Sequence, residues 1–164
     1  MAKMCKGIEM QVIGYDPLIT KDKTKTLGVR FVSLDELFKT SDFISLHIPR
    51  TPETKNLIGE NTISKMKKNV RIINCARGGV VDEGALYKAL KEGRIAGAAL
   101  DVFEQEPLLD SPLLELDNVV VTPHLGASTY EAQINVAVDI ANSIALALKE
   151  GKFENALNLS SIKR

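Results

Sequence analysis

The chain has 164 residues, long enough for one domain with its own apolar core. Twenty-one basic residues balance twenty-one acidic ones, so the formal net charge is zero, and nothing in the charge points to nucleic acid or an anionic membrane as a partner. No apolar run approaches the roughly 20 residues of a membrane span. The opening MAKMCKGIEM has no apolar signal core, and Cys5 and Cys75 match no metal-ligand spacing. The expectation is a reduced, cytoplasmic setting with no metal, no membrane and no nucleic acid.

In chain order, residues 1–10 read as a helix that ends near Gly7, and 11–15 (QVIGY) as a short strand closing on Asp16-Pro17. Asp16 at the end of a second nucleotide-fold strand could accept hydrogen bonds from ribose hydroxyls, although Asp-Pro alone also reads as a plain turn. Residues 21–27 are polar, a short helix or loop. A strand over 29–32 leads to Ser33, which can cap a helix over 34–39, with Glu36 where a capping box needs it. The next strand, 42–47 (DFISLH), is ended by Pro49 and Pro52.

A short helix over 61–66 precedes the most informative stretch, VRIINCARGGVVD at 70–82. It opens as a buried strand rich in β-branched residues, turns through Cys75-Ala76-Arg77-Gly78-Gly79 and reaches a helix start at Asp82. An amphipathic helix over 82–92 carries Leu86 and Leu90 on one face, with Gly93 as its stop. A small-residue strand over 96–102 contains Asp101, and Glu104-Gln105-Glu106-Pro107 follows as a loop. A helical turn over 113–116 comes next, then a strand over 119–122 that ends at Pro123-His124-Leu125-Gly126. Ser128, with Glu131 three residues on, reads as the cap of a long helix running to about Lys149. Its apolar stripe is Ile134, Val138, Ala141, Ile144, Ala145 and Leu148. Gly151 stops it, and 153–164 reads as extended.

Short apolar strands alternating with helices predict an α/β fold, a doubly wound parallel sheet of Rossmann type covered on both faces. Ligands of such sheets sit outside the carboxyl ends of the strands. Those ends carry Asp16, Pro49, Arg77, Asp101 and His124.

Arg77, Glu106 and His124 each lie past a predicted strand and form a candidate catalytic set. A histidine can exchange a proton with a hydroxyl or carbonyl oxygen near neutral pH. A neighbouring carboxylate would hold one tautomer and favour the imidazolium. An arginine grips a carboxylate with two parallel hydrogen bonds and polarises an adjacent carbonyl. Together they suit hydride transfer between a 2-hydroxy acid and a nicotinamide cofactor. Taken singly, each also has an ordinary reading: a surface arginine, a solvated loop carboxylate, a histidine satisfying backbone. His47 is read as structural and Cys75 as a small buried residue, not a nucleophile.

Five runs give a family resemblance: VIGYDP (12–17), SDFISLHIPRTPETKNLI (41–58), NCARGGVVDEGAL (74–86), GAALDVFEQEP (97–107) and PHLGASTYEAQ (123–133). In order and spacing they resemble the D-isomer-specific 2-hydroxyacid dehydrogenases, most of all the branch acting on a phosphorylated 2-hydroxy acid. The resemblance implies that Arg77 binds substrate carboxylate, that Glu106 pairs with His124, and that His124 is the acid-base group. It implies that Asp16 binds the adenosine ribose and favours NAD over NADP. Ile48 and Pro49 would flank the cofactor. Cys75, Ala76, Arg77, Asp101, His124 and Gly126 would contact its nicotinamide end. Glutamate at 106 argues against the formate dehydrogenases, which resemble this group but carry glutamine there.

The family's G-x-G-x-x-G turn and first strand do not occur in the 164 residues. The expectation is a partial NAD-binding domain over 1–150, truncated at its amino end, with 151–164 starting a crossover to a substrate domain. A sheet lacking a central strand is expected to be destabilised or rearranged, and to associate as a homo-oligomer through its edges. The resemblance leaves three rivals to oxidation of a phosphorylated hydroxy acid. These are a glyoxylate or hydroxypyruvate reductase, an NADH-sensing transcriptional corepressor of the same fold, and a non-catalytic remnant.

Overall fold

In the computed structural model the described residues are 1–19, 28–153 and 155–159. The expected polar segment at 21–27 lies outside them. The chain divides into two compact units, Met1–Pro123 and His124–Arg164.

Among the described residues the first unit carries six parallel strands in two sheets. Strands β1 (Ile13–Gly14) and β2 (Arg30–Phe31) pair with each other. Strands β3 (Phe43–Leu46), β4 (Arg71–Asn74), β5 (Gly97–Leu100) and β6 (Val119–Val121) form the main sheet in that order. The α/β class and the parallel sheet follow the sequence reading. The first two strands are shorter than expected, two residues each in place of about five and four. Among the described residues no ladder joins β1 to β3, so β1 is paired on one side only, where the Val32 N–H donates to the Gly14 carbonyl at 2.9 Å.

The main sheet buries one face thoroughly. Ile44 and Leu46 of β3 and Ile72 of β4 point into the core with Ala98 and Leu100 of β5. Covering them are Phe38 of α2 (Leu34–Thr40), Ile63 of α3 (Glu60–Ile63), and Leu86, Ala89 and Leu90 of α4 (Glu83–Lys91). Leu113, from a single 3₁₀ turn over Pro112–Glu115, closes the cluster. The other face is less fully buried. Phe43 is 50% exposed and Val120 65%, and the residues between them, Ser45, Ile73 and Ala99, are half-buried. A run of β-branched residues signals burial but does not say how much of each face a helix reaches.

Local chemistry sets the helix ends. Ser33 Oγ accepts the Glu36 N–H at 3.2 Å, as a cap should. The reciprocal half of the box is not made, because the Glu36 carboxylate pairs with Arg30 at 2.7 Å. Asp82 caps α4 by accepting the Ala85 N–H at 2.9 Å. A short helix, α1 (Ala2–Gly7), opens the chain.

The second unit is built on α5 (Tyr130–Glu150). Its cap is Thr129, whose Oγ1 accepts the Ala132 N–H at 3.1 Å, one residue later than the expected Ser128. Both residue types cap well, and only the backbone decides which one stands outside the helix. No residue of α5 is buried, and Val136, Ile140 and Leu146 are exposed apolar residues off the expected stripe. After Gly151 the chain turns, with the Ala156 N–H donating to the Phe153 carbonyl at 3.3 Å, where extended chain was expected. No helix among the described residues is long and apolar enough to cross a membrane.

At the amino ends of the main strands, Arg94 ties α3 to the end of α4. Its Nη1 and Nη2 donate to Glu60 Oε1 and Oε2 at 2.7 and 3.0 Å, and its Nε donates to Glu92 at 3.0 Å. The Arg94 guanidinium holds the Glu60 carboxyl below its ordinary value. Hydrogen bonds from Lys39 and Lys65 do the same for Asp35, and one from Lys67 for Asp42. A carboxyl lowered by folding adds stability above its unfolded pKa, roughly 4, and loses it as pH falls through the lower folded value. The thermal midpoint is therefore expected to hold between pH 7 and 5 and drop toward pH 3. Glu60→Gln should flatten that drop; circular dichroism melts across the range check it.

Candidate active site

The register of the main sheet places the candidate residues. Leu46, Asn74, Leu100 and Val121 are aligned across the four strands. The next residue of each strand therefore falls in one row at the carboxyl edge: His47, Cys75, Asp101 and Thr122. The segments that follow hold Ile48 and Pro49, Ala76 and Arg77, and Glu106.

Asn74 shapes the turn that carries Arg77. It is buried, at 1% exposure. Its Oδ1 accepts the Ala76 N–H at 3.1 Å, and its Nδ2 donates to the Arg77 carbonyl at 3.0 Å. Its own carbonyl accepts the Asp101 N–H at 2.9 Å. An amide has an acceptor and donors on one short stem, so it can close a three-residue turn that an apolar residue would leave unbonded.

The two glycines have different reasons. Gly79 has φ of +73°, a region that L side chains rarely adopt. Gly78 is forced by contact: a Cβ there would lie 1.7 Å from the Phe103 carbonyl oxygen. The backbone of the Arg77 turn thus lies directly against the backbone that leads to Glu106. Glu106 Oε1 accepts the Phe103 N–H at 3.0 Å, which folds the loop back on the point of contact. The structure therefore brings the Arg77 and Glu106 segments together, about thirty residues apart in sequence.

A cleft of about 340 Å³ opens between the ends of β3 and β4, lined by His47, Ile48, Pro49, Ala76 and Arg77. Its walls are apolar along Ile48, Pro49 and Ala76 and cationic at Arg77, whose side chain stays exposed. An aromatic amide ring fits the first kind of wall and an anion the second. These residues suit a nicotinamide dinucleotide beside a carboxylate substrate, with Arg77 facing the anion. Cys75, expected to be buried, is exposed at the same edge. Asp101 is buried, at 4% exposure, and accepts the Thr122 hydroxyl at 2.5 Å. Asp16 follows β1, where one carboxylate oxygen accepts the Leu18 N–H at 2.8 Å.

His124 and Gly126 belong to the second unit. Both are exposed, and His124 has φ of +57°. A non-glycine residue held in the left-handed region costs on the order of 1–3 kcal/mol and tends to occur at functional sites. Sequence reasoning treated His47 as structural. It lines the cleft, with Nε2 2.9 Å from Ser45 Oγ.

A relative from Archaeoglobus fulgidus, a D-3-phosphoglycerate dehydrogenase, is 52% identical over 164 residues. One of the same name from Methanocaldococcus jannaschii is 52% identical over 163 residues. Each match takes in 99% of this chain but 31% of the relative. Among solved structures, a glyoxylate reductase from Paecilomyes thermophila superposes with a TM-score of 0.85 at 34% identity, covering 92% of this chain and 46% of its own. A D-isomer specific 2-hydroxyacid dehydrogenase from Lactobacillus delbrueckii ssp. bulgaricus, in its NAD complexed form, gives 0.85 at 33% identity, covering 96% and 52%. The family described as D-isomer specific 2-hydroxyacid dehydrogenase, NAD binding domain, matches residues 1–126, and the chain belongs to that family of NAD-dependent dehydrogenases.

Proposed function

We propose that the chain forms part of an enzyme that oxidises D-3-phosphoglycerate to 3-phosphohydroxypyruvate with NAD, on the way to serine. The observation that carries this reading is the 52% identity to D-3-phosphoglycerate dehydrogenases across nearly every residue. The chain spans 31% of those relatives, so turnover is assigned to the assembled enzyme and not to the 164 residues alone.

In this reading Arg77 binds the substrate carboxylate at the cleft and fixes C2 toward the apolar wall of Ile48, Pro49 and Ala76. A planar guanidinium matches a carboxylate with two hydrogen bonds, which orients the substrate as well as holding it. His124 takes the proton of the 2-hydroxyl as C2 becomes a carbonyl carbon, and returns it in the reverse direction. Glu106 stabilises the imidazolium formed. Asp16 would hold the ribose of NAD, and the 75–77 turn, Asp101, His124 and Gly126 would meet its nicotinamide end, where the bound cofactor would supply the hydride acceptor. The close seat of Gly78 on Phe103 keeps Arg77 and Glu106 at a set separation.

A second reading, reduction of glyoxylate or hydroxypyruvate, draws on the fold match to a glyoxylate reductase at 34% identity. It uses the same residues in the opposite direction and differs in what recognises the far end of the substrate.

Two experiments follow. First, a chimera is made in which this chain replaces the matching segment of the Archaeoglobus fulgidus relative, and NADH formation from D-3-phosphoglycerate is followed by absorbance. Turnover is expected, and His124→Ala should lower kcat by about 10³-fold or more, losing both the acid-base step and its charge stabilisation. Full turnover in that variant overturns the mechanism, and preference for glyoxylate over phosphoglycerate selects the second reading. Second, Gly78→Ala is expected to destabilise the chain by about 1–3 kcal/mol, the usual cost of forcing extra volume into a packed contact. Urea unfolding measures it; an unchanged midpoint would show that the two backbones can part freely.

A further inference from the structure

We propose that Arg50 is a positioning residue for the loop that carries Glu106, acting through Glu104. This rests on the functional reading above, which gives Glu106 its role.

Three segments meet at Arg50. The first is its own turn, past the end of β3, which one hydroxyl makes rigid. Thr54 Oγ1 accepts the Thr51 N–H at 2.7 Å and donates to the Pro49 carbonyl at 2.7 Å. Arg50 therefore leaves from a backbone bonded on both sides of it.

The second segment is the Arg77-Gly78-Gly79 turn. At Gly79 the guanidinium occupies the space a side chain would need: a Cβ there would lie 2.8 Å from Arg50 Cζ and 2.9 Å from its Nε. The same turn is fastened to the Arg50 side by the Asn56 N–H donating to the Gly79 carbonyl at 2.9 Å. The flat cation thus rests against the bare backbone of Gly79, whose positive φ is what calls for glycine.

The third segment is the loop after β5. Arg50 Nη2 lies 3.6 Å from Glu104 Oε1. The Glu104 N–H in turn donates to Glu83 Oε1 at 2.7 Å, at the start of α4. Glu104 follows Phe103, whose carbonyl abuts Gly78 and whose N–H reaches Glu106. Arg50 thus spans from the turn bearing Arg77 to the loop bearing Glu106, on the outer side of the Gly78 contact.

Both side chains of the ion pair are about half exposed. Such a pair adds little to global stability. Its effect is on geometry: it restrains the loop that carries Glu106, and a misplacement of about 1 Å in a catalytic group can lower turnover on the order of 10²-fold.

The test has two arms. In the chimera described above, Arg50→Met and Glu104→Gln are each expected to lower kcat about tenfold, leaving KM for NAD within about twofold. The double variant should match the single ones, and Arg50→Lys should restore most of the loss. In the 164-residue chain itself, amide hydrogen exchange of Phe103 and Glu104 should speed up on the order of tenfold in Arg50→Met, with Ile72 and Ile73 of β4 unchanged. Unchanged exchange at Phe103 and Glu104 overturns the proposal. So does faster exchange that includes β4, which would make Arg50 a general stabiliser. Additive losses of kcat overturn the route through Glu104. A wild-type chimera without turnover counts against the functional reading, and the exchange arm then decides by itself whether Arg50 holds the loop.

Discussion

The carboxyl edge of the sheet depends on one buried side chain, the amide of Asn74. A polar group at 1% exposure must be bonded or it destabilises the fold by about 1–3 kcal/mol. Asn74 meets that demand by bonding the Ala76 N–H and the Arg77 carbonyl, and so fixes the turn between them. Its backbone carbonyl fixes the start of the neighbouring segment at Asp101. Three backbone points at the carboxyl edge therefore refer to one residue. An apolar residue at position 74 would fill the same volume and leave the turn free to choose another path.

Strand β4, the turn after it and α4 were legible in the sequence for a physical reason. A β-branched run, two adjacent glycines and an Asp cap each leave a local mark, and all three agree. The parallel sense of β3 to β6 was legible too, because short apolar strands alternate with segments that return the chain in the same sense, whereas their order across the sheet comes from the structure. The short ladder of β1 and β2 was not, since strand length depends on neighbours on both sides and QVIGY does not name its neighbours. Likewise Ser128 and Thr129 are adjacent hydroxyl residues, and composition cannot choose between them.

The candidate site divides in the same way. Arg77 and Glu106 could be picked out as charged residues past strand ends. Their adjacency could not, because it comes from backbone packing of Gly78 on Phe103, a contact that a glycine announces only as an absent side chain. Arg50 carried no signal at all. Its place depends on a hydroxyl four residues on and on a carboxylate in another loop. Family membership explains why these parts occur in this order, whereas the geometry sets an apolar wall and a guanidinium side by side in one cleft.

The ribbon formed by β1 and β2 has a thermodynamic consequence. Two strands joined by two residue pairs make a short ladder, and a two-stranded ribbon is marginally stable by itself. Asp16 follows directly from it, whereas Arg77 hangs from a four-stranded framework already in place. A ligand gripping both must order the first contact and merely meet the second. Part of its binding free energy is then consumed in stiffening the ribbon, so its heat capacity change should exceed what the buried ligand surface alone implies. The two halves of one molecule would report different physics: lock-like recognition at the Arg77 end and folding coupled to binding at the Asp16 end.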